Sequence, residues 1–157
     1  MSFLYLMRHA KAESASVDSK RPLSHFGLKQ ITSSAKLAKT GRYLETPAEI
    51  LHSPKERARQ TAELMAKALG WKCQLREHQG LEPDSDPEPI KAELREDART
   101  LMVVGHLPFL PHLSELLVPG ESYYFGEAVL RCFEKDRKGW KEAWFVEPRP
   151  PDPRKGE

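Results

Sequence analysis

Cysteine is scarce in this chain. Cys73 and Cys132 stand alone, with no Cys-x-x-Cys pair and no metal-ligand spacing. That count argues against a disulfide framework or a thiolate metal site and predicts two small buried hydrophobes in a reducing compartment. Long apolar runs are missing too. No stretch approaches the length that spans a bilayer, and Met1 leads into a strand-like segment without a basic leader or small-residue cleavage site. The expectation is a cytoplasmic chain with no membrane partner. Neither sign of charge is in excess: 25 basic against 23 acidic residues leave +2, too balanced for a nucleic-acid surface or a polybasic patch. The nine glycines form neither a Walker loop nor a Gly-x-Gly-x-x-Gly. There is no His-x-x-x-His, no clustered-carboxylate pattern and no nucleophile elbow around a Ser or Cys. No metal and no cofactor are expected.

The 157 residues, 39% apolar and 31% charged, fit one soluble domain with a single sizeable core, a monomer by default. Phe3-Leu4-Tyr5-Leu6-Met7 reads as a strand buried on both faces, and so does Leu101-Met102-Val103-Val104-Gly105. Ala48 to Leu51 is a shorter run of the same kind, and Lys72 to Arg76 is a weaker strand. Helices are predicted between them. One is capped by Ser24, with Leu28, Ile31, Ala35 and Ala38 on its apolar stripe and Gly41 at its stop. A second opens with Ser53 as N-cap, Pro54 at the first position and Glu56 three residues on, a capping-box pattern, and ends at Gly70. A third covers about Pro87 to Ala98, and a fourth carries Phe109, Leu110, Leu113, Leu116 and Leu117 and ends at Pro119-Gly120. Glu77 to Pro89 is expected to be a loop. Val129–Phe133 and Trp140–Val146 read as a hairpin turning at Asp136–Gly139. This alternation predicts an α/β fold: a three-layer α/β/α sandwich over a mostly parallel sheet with an antiparallel edge. The single domain is placed at residues 1–147. Residues 148–157, proline-rich and charged, are expected to form a disordered tail.

Three of the predicted strands end alike. The first delivers Arg8 and His9, the second His52 and then Arg57 in the first helical turn, and the fourth His106. In a parallel sheet these ends share one rim, where open α/β sheets bind ligands. One histidine after a strand is ordinarily a loop residue; the recurrence is what points to a site. Two arginines with two or three histidines suit an anion, because guanidinium groups match phosphoryl oxygens in a forked geometry. His52 is the histidine expected to be structural. His25, His78 and His112 have no matching placement. With no other nucleophile in view, His9 is the candidate.

At these residues the sequence resembles the histidine phosphatase superfamily, the relatives of phosphoglycerate mutase. The matching pieces are Leu6-Met7-Arg8-His9, Arg21-Pro22-Leu23-Ser24-x-x-Gly27, Ser53-Pro54-x-x-Arg57-Ala58-x-Gln60-Thr61-Ala62 and Val104-Gly105-His106. The short length and His106-Leu107-Pro108 followed by Pro119-Gly120-Glu121 resemble the SixA type of bacterial protein-histidine phosphatases. The resemblance implies a phosphoglycerate mutase-like fold and a metal-independent phosphatase. His9 would become transiently phosphorylated, Arg8 and Arg57 would clamp the phosphoryl oxygens, and His106 would hydrogen-bond them. Its partner would be a phosphohistidine-containing protein of a phosphorelay or phosphotransfer chain, with phosphate as product.

Two departures from the family pattern bear on substrate. Ala10 stands where the family usually has glycine, and the acidic stretch Glu77–Glu88 lacks a clear general-acid motif, Glu82 in Leu81-Glu82-Pro83 being the nearest candidate. An alkoxide leaving group, with an alcohol pKa near ~15.7 against ~6.5 for imidazole, needs an acid far more than phosphohistidine does. A missing acid would therefore favour phosphohistidine. A small-molecule phosphomonoesterase using a loop carboxylate and a non-catalytic phosphoprotein-binding module remain the two alternatives.

Overall fold

A computed structural model describes residues 1–150. Six strands form one sheet in the order β3-β2-β4-β1-β5-β6. In chain order the elements are β1 (Ser2–Arg8), α1 (His25–Lys39), β2 (Glu49–His52), α2 (Glu56–Leu69), β3 (Gln74–Glu77), α3 (Glu88–Glu96), β4 (Leu101–Gly105), α4 (Phe109–Leu117), β5 (Leu130–Asp136) and β6 (Gly139–Val146). The β3, β2, β4 and β1 strands run parallel, and the β5–β6 hairpin joins β1 antiparallel. This is the predicted mixed sheet with its antiparallel edge.

Helices cover both faces because the central strands are apolar on both sides. Tyr5, Met7, Ile50, Met102 and Val104 pack with α1 and α2 through Ile31, Ala35, Ala62 and Met65. Leu4, Leu6, Leu51, Leu101 and Val103 face α3 and α4 through Ile90, Leu94, Leu110 and Leu113. Leu6, Met102 and Val103 are fully buried. Truncating a side chain like Leu6 to alanine costs about 2–5 kcal/mol.

Several local expectations change. The Ser53 capping box does not form: α2 starts at Glu56 with Lys55 at the cap and no side-chain cap bond. Ser53 Oγ is drawn instead to His106, as described below, and a buried imidazole is a stronger competitor for a hydroxyl than a solvated helix end. Leu28 does not lie on the buried stripe of α1. It is 43% exposed, and the sheet-facing positions are Gly27, Gln30, Ile31, Ser34, Ala35 and Ala38. Gly27 has to be glycine, since a Cβ there would lie 2.1 Å from the Lys11 carbonyl oxygen.

The stretch after β3 is better anchored than a plain acidic loop. A 3₁₀ turn at Gln79–Leu81 buries Leu81 completely. His78 Nδ1 accepts the Gly80 amide at 2.9 Å, so its proton lies on Nε2, which donates to Glu93 at 2.8 Å. Residues 148–150 form no regular element, and the Arg149 amide donates to Ser33 Oγ at 2.6 Å. The rest of the expected tail, 151–157, lies outside the described residues.

Candidate active site

Register puts the three strand ends at one level. Arg8 pairs with Gly105 across β1 and β4, and His52 with Val104 across β2 and β4. The backbone of Arg8-His9-Ala10 is then held from three sides. The His9 amide donates to Gly105 O at 3.0 Å, and the Arg8 amide to Val129 O at 3.3 Å. Ala128 returns its amide to Arg8 O and His9 O at 3.1 and 3.2 Å. On the α2 side, Thr61 Oγ1 accepts the Ala10 amide at 3.1 Å and donates to Arg57 O at 2.8 Å. One hydroxyl thus ties the nucleophile loop to the turn that carries Arg57.

His9 and His106 lie buried side by side, their ring centroids 5.0 Å apart. His9 Nδ1 is 2.7 Å from the Ala10 carbonyl. A carbonyl only accepts, so Nδ1 carries the proton and Nε2 keeps its lone pair. Burial, reinforced by the charges of Arg57, Arg8 and Arg21, pushes the His9 pKa down to about 4 despite that carbonyl. Burial together with His9, Arg57, Lys55 and Arg8 pushes His106 down to about 3. Both rings are neutral at physiological pH.

Arg8 and Arg57 converge on these rings. Arg8 Nη1 donates to Phe125 O at 3.4 Å. Among the described residues, the buried side-chain nitrogens and oxygens with no partner in the protein are Arg8 Nε, Arg57 Nε and His106 Nδ1. Buried polar atoms are nearly always paired, so three orphans in one place mark a site shaped for a ligand that accepts hydrogen bonds. Burial lowers the pKa of both arginines; the charge of Arg21 adds to this at Arg57, while Glu127 opposes it at Arg8 and Glu82 at Arg57. Among the described residues no group of three or more His, Cys, Asp or Glu is placed to hold a metal.

The four singled-out residues, Arg8, His9, Arg57 and His106, are therefore together on one rim. His52 is not with them as a ligand group: it closes β2, with Nδ1 2.9 Å from Ser53 O. Glu82 stands near Arg57 but is paired with Lys55 Nζ at 3.3 Å. Three neighbours are given no part in the site by the sequence alone. Ser53 Oγ is 2.6 Å from His106 Nε2. Arg21 adds a third positive charge beside His9 and Arg57, held by its Nε bond to Glu13 O at 2.9 Å and by Gln60, which accepts the Leu23 amide at 2.7 Å. Glu127 lies beside Arg8, with Gln30 Nε2 3.5 Å from its carboxylate. Arg21 was visible only as part of a motif, and nothing in the pattern tied Glu127 to Arg8.

Known proteins share this sequence family and this fold. A sequence model of the histidine phosphatase superfamily (branch 1) matches residues 4–82. Similar solved structures include the protein histidine phosphatase SixA complexed with tungstate, 27% identical over 93% of this chain and 97% of that one, with a TM-score of 0.79. A protein assigned as phosphohistidine phosphatase SixA from Nakamurella multipartitia is 26% identical over 94% and 96%, with a TM-score of 0.74. One so assigned from Agrobacterium tumefaciens, 24% identical over 94% and 98% with a TM-score of 0.73, shares the fold. No curated protein matches the chain by sequence.

Proposed function

The chain belongs to the histidine phosphatase superfamily, and on that premise we propose that it hydrolyses phosphohistidine on a phosphorelay or phosphotransfer protein, with His9 as nucleophile. The observation that carries this reading is the set of unpartnered buried donors, Arg8 Nε, Arg57 Nε and His106 Nδ1, around a histidine whose tautomer leaves Nε2 free. The similarity to SixA, whose solved structure holds tungstate, an oxyanion of phosphate-like shape, supports it.

In this mechanism His9 Nε2 attacks phosphorus in line. The N–P bond of the substrate breaks, its electron pair returns to the substrate imidazole, and that ring takes a proton from solvent. Water then attacks the phosphorylated His9, releasing phosphate and restoring the neutral ring. Arg8 and Arg57 hold the phosphoryl oxygens and offset the spreading negative charge. His106 contributes Nδ1–H, which requires its proton on Nδ1. Ser53 makes that tautomer favourable, since its hydroxyl accepts the Lys55 amide at 3.2 Å and has its proton left to donate to Nε2. No metal takes part in these steps.

Two features favour phosphohistidine over an alkyl phosphate. Glu82, the nearest acid candidate, is held by Lys55, and an imidazole leaving group needs little acid help. The scaffold carries no inserted domain among its described elements, which suits approach by a protein carrying the phosphoryl group. Rapid quenching with labelled phosphohistidine protein tests the reading. An acid-labile, base-stable phosphoenzyme should accumulate and vanish in His9→Ala, with turnover reduced at least about 10³-fold, as for loss of a covalent nucleophile. Full turnover in His9→Ala would exclude the mechanism.

A further inference from the structure

One buried charge beside the site has no part in the mechanism. Arg131 lies on β5, 6% exposed, where its strand neighbours Leu130, Cys132 and Phe133 are apolar. A guanidinium in such a place is costly unless it is paired and hydrogen-bonded. Its Nη1 donates to Glu142 Oε2 on β6 at 2.7 Å. Its planar face is packed by rings, with the Phe145, Tyr123 and Phe125 centroids 4.4, 5.2 and 5.5 Å from the guanidinium carbon. Nε has a different partner: it donates to the main-chain oxygen of Tyr124 at 2.9 Å.

The next carbonyl along the chain, that of Phe125, accepts from Arg8 Nη1. The same segment touches Arg8 twice more, through the Ala128 amide and the Val129 carbonyl. Residues 121–126 form no helix or strand, and Ala128 is at φ +59, a left-handed value unusual for a residue with a Cβ. Such a segment does not hold its own shape. Its inward side chains hold it: Tyr123 meets Phe133 edge-on at 5.2 Å, Phe125 is 2% exposed, and Arg131 grips the carbonyl between them.

We propose that Arg131 is a positioning residue of the phosphoryl site: by binding the Tyr124 carbonyl and stacking on Phe125 it fixes the Phe125 carbonyl that orients the Arg8 guanidinium. The proposal rests on the phosphoryl-site reading above. Arginine is needed because its planar fork serves Glu142 and the Tyr124 carbonyl at once from different edges. A lysine keeps the charge against Glu142 but offers one compact ammonium.

Tungstate binding, measured by calorimetry on the full chain, tests this in a double-mutant cycle of Arg131→Lys and Arg8→Ala. In the wild-type background Arg131→Lys should weaken binding about fivefold; in the Arg8→Ala background it should change binding by less than about twofold, as for residues coupled through one hydrogen-bond network. Equal losses in both backgrounds, or no loss in either, would overturn the positioning role while leaving the site itself intact. A wild-type chain that does not bind tungstate would overturn the phosphoryl site, and this inference with it. If Arg131→Lys does not fold, the pair Arg131→Met with Glu142→Leu removes both charges together, a change buried ion pairs often tolerate. The same cycle and the same outcomes then apply.

Discussion

Ser53 Oγ lies 2.6 Å from His106 Nε2 and takes the Lys55 amide on its other side. A residue that the pattern marks as a helix cap therefore orients a ring of the site. Ser53→Ala removes the partner of Nε2 and lets the imidazole proton sit on either nitrogen. kcat/KM on a phosphohistidine protein should fall roughly tenfold, equivalent to ~1.4 kcal/mol of transition-state stabilisation. The phosphoenzyme should still form. Unchanged kinetics in a folded Ser53→Ala protein would remove Ser53 from the mechanism.

The two depressed histidines set a pH signature. Folded His9 and His106 have pKa values of about 4 and about 3, below the ~6.5 of an unfolded histidine. The unfolded chain therefore takes up protons first, and stability falls as pH drops from about 6.5 through 4 to about 3. Above about 6.5 the effect is absent, because both states are neutral. NMR of ring-labelled histidine should show both residues still neutral at pH 5.5, and a His9→Gln/His106→Gln variant should flatten the melting-temperature profile between pH 6.5 and 5. Titration of both rings near 6.5 would contradict this account.

Glu82 offers a test of substrate class. With its carboxylate 3.3 Å from Lys55 Nζ, Glu82→Gln should leave phosphohistidine hydrolysis within about threefold, the scale of losing a partly exposed ion pair. An alkyl phosphate panel gives the complementary reading. Dominant ester activity that disappears in Glu82→Gln would make this chain a small-molecule phosphomonoesterase.

Ala10 stands where the family usually has glycine, yet its φ is not positive and its methyl is fully buried against the α1–α2 face. Restoring glycine should therefore destabilise. Loss of a buried methyl at about 0.8 kcal/mol adds to a backbone-entropy cost of about 0.5–1 kcal/mol. Urea denaturation of Ala10→Gly should show that loss with turnover nearly unchanged. A gain in stability would mean that the loop after β1 is strained by its alanine.

The chain's own pattern determined the architecture and four residues of the site. Apolar runs of strand length that alternate with amphipathic helices, each run ending in Arg or His, favour a mostly parallel sheet covered on both faces. That topology necessarily brings Arg8, His9, Arg57 and His106 to one rim. Even the His9 tautomer was predictable in kind, since a neutral nucleophilic nitrogen requires its partner nitrogen to donate; the Ala10 carbonyl supplies the acceptor. Tertiary structure decided the rest, because those contacts join residues far apart in sequence. Ser53 serves His106 as well as the Lys55 amide at the start of α2, since the imidazole arrives from β4. Leu28 faces outward because α1 turns Gly27 and Gln30 toward the β1 loop, where Gln30 accepts the Lys11 amide. Arg21 joins the site only once Gln60 and Glu13 hold its loop there, and Arg131 meets the Tyr124 carbonyl only when the chain folds back over β5. Periodicity records which side of a strand or helix is apolar. It carries no record of which distant polar atom will satisfy a buried one, and in this protein those pairings complete the site.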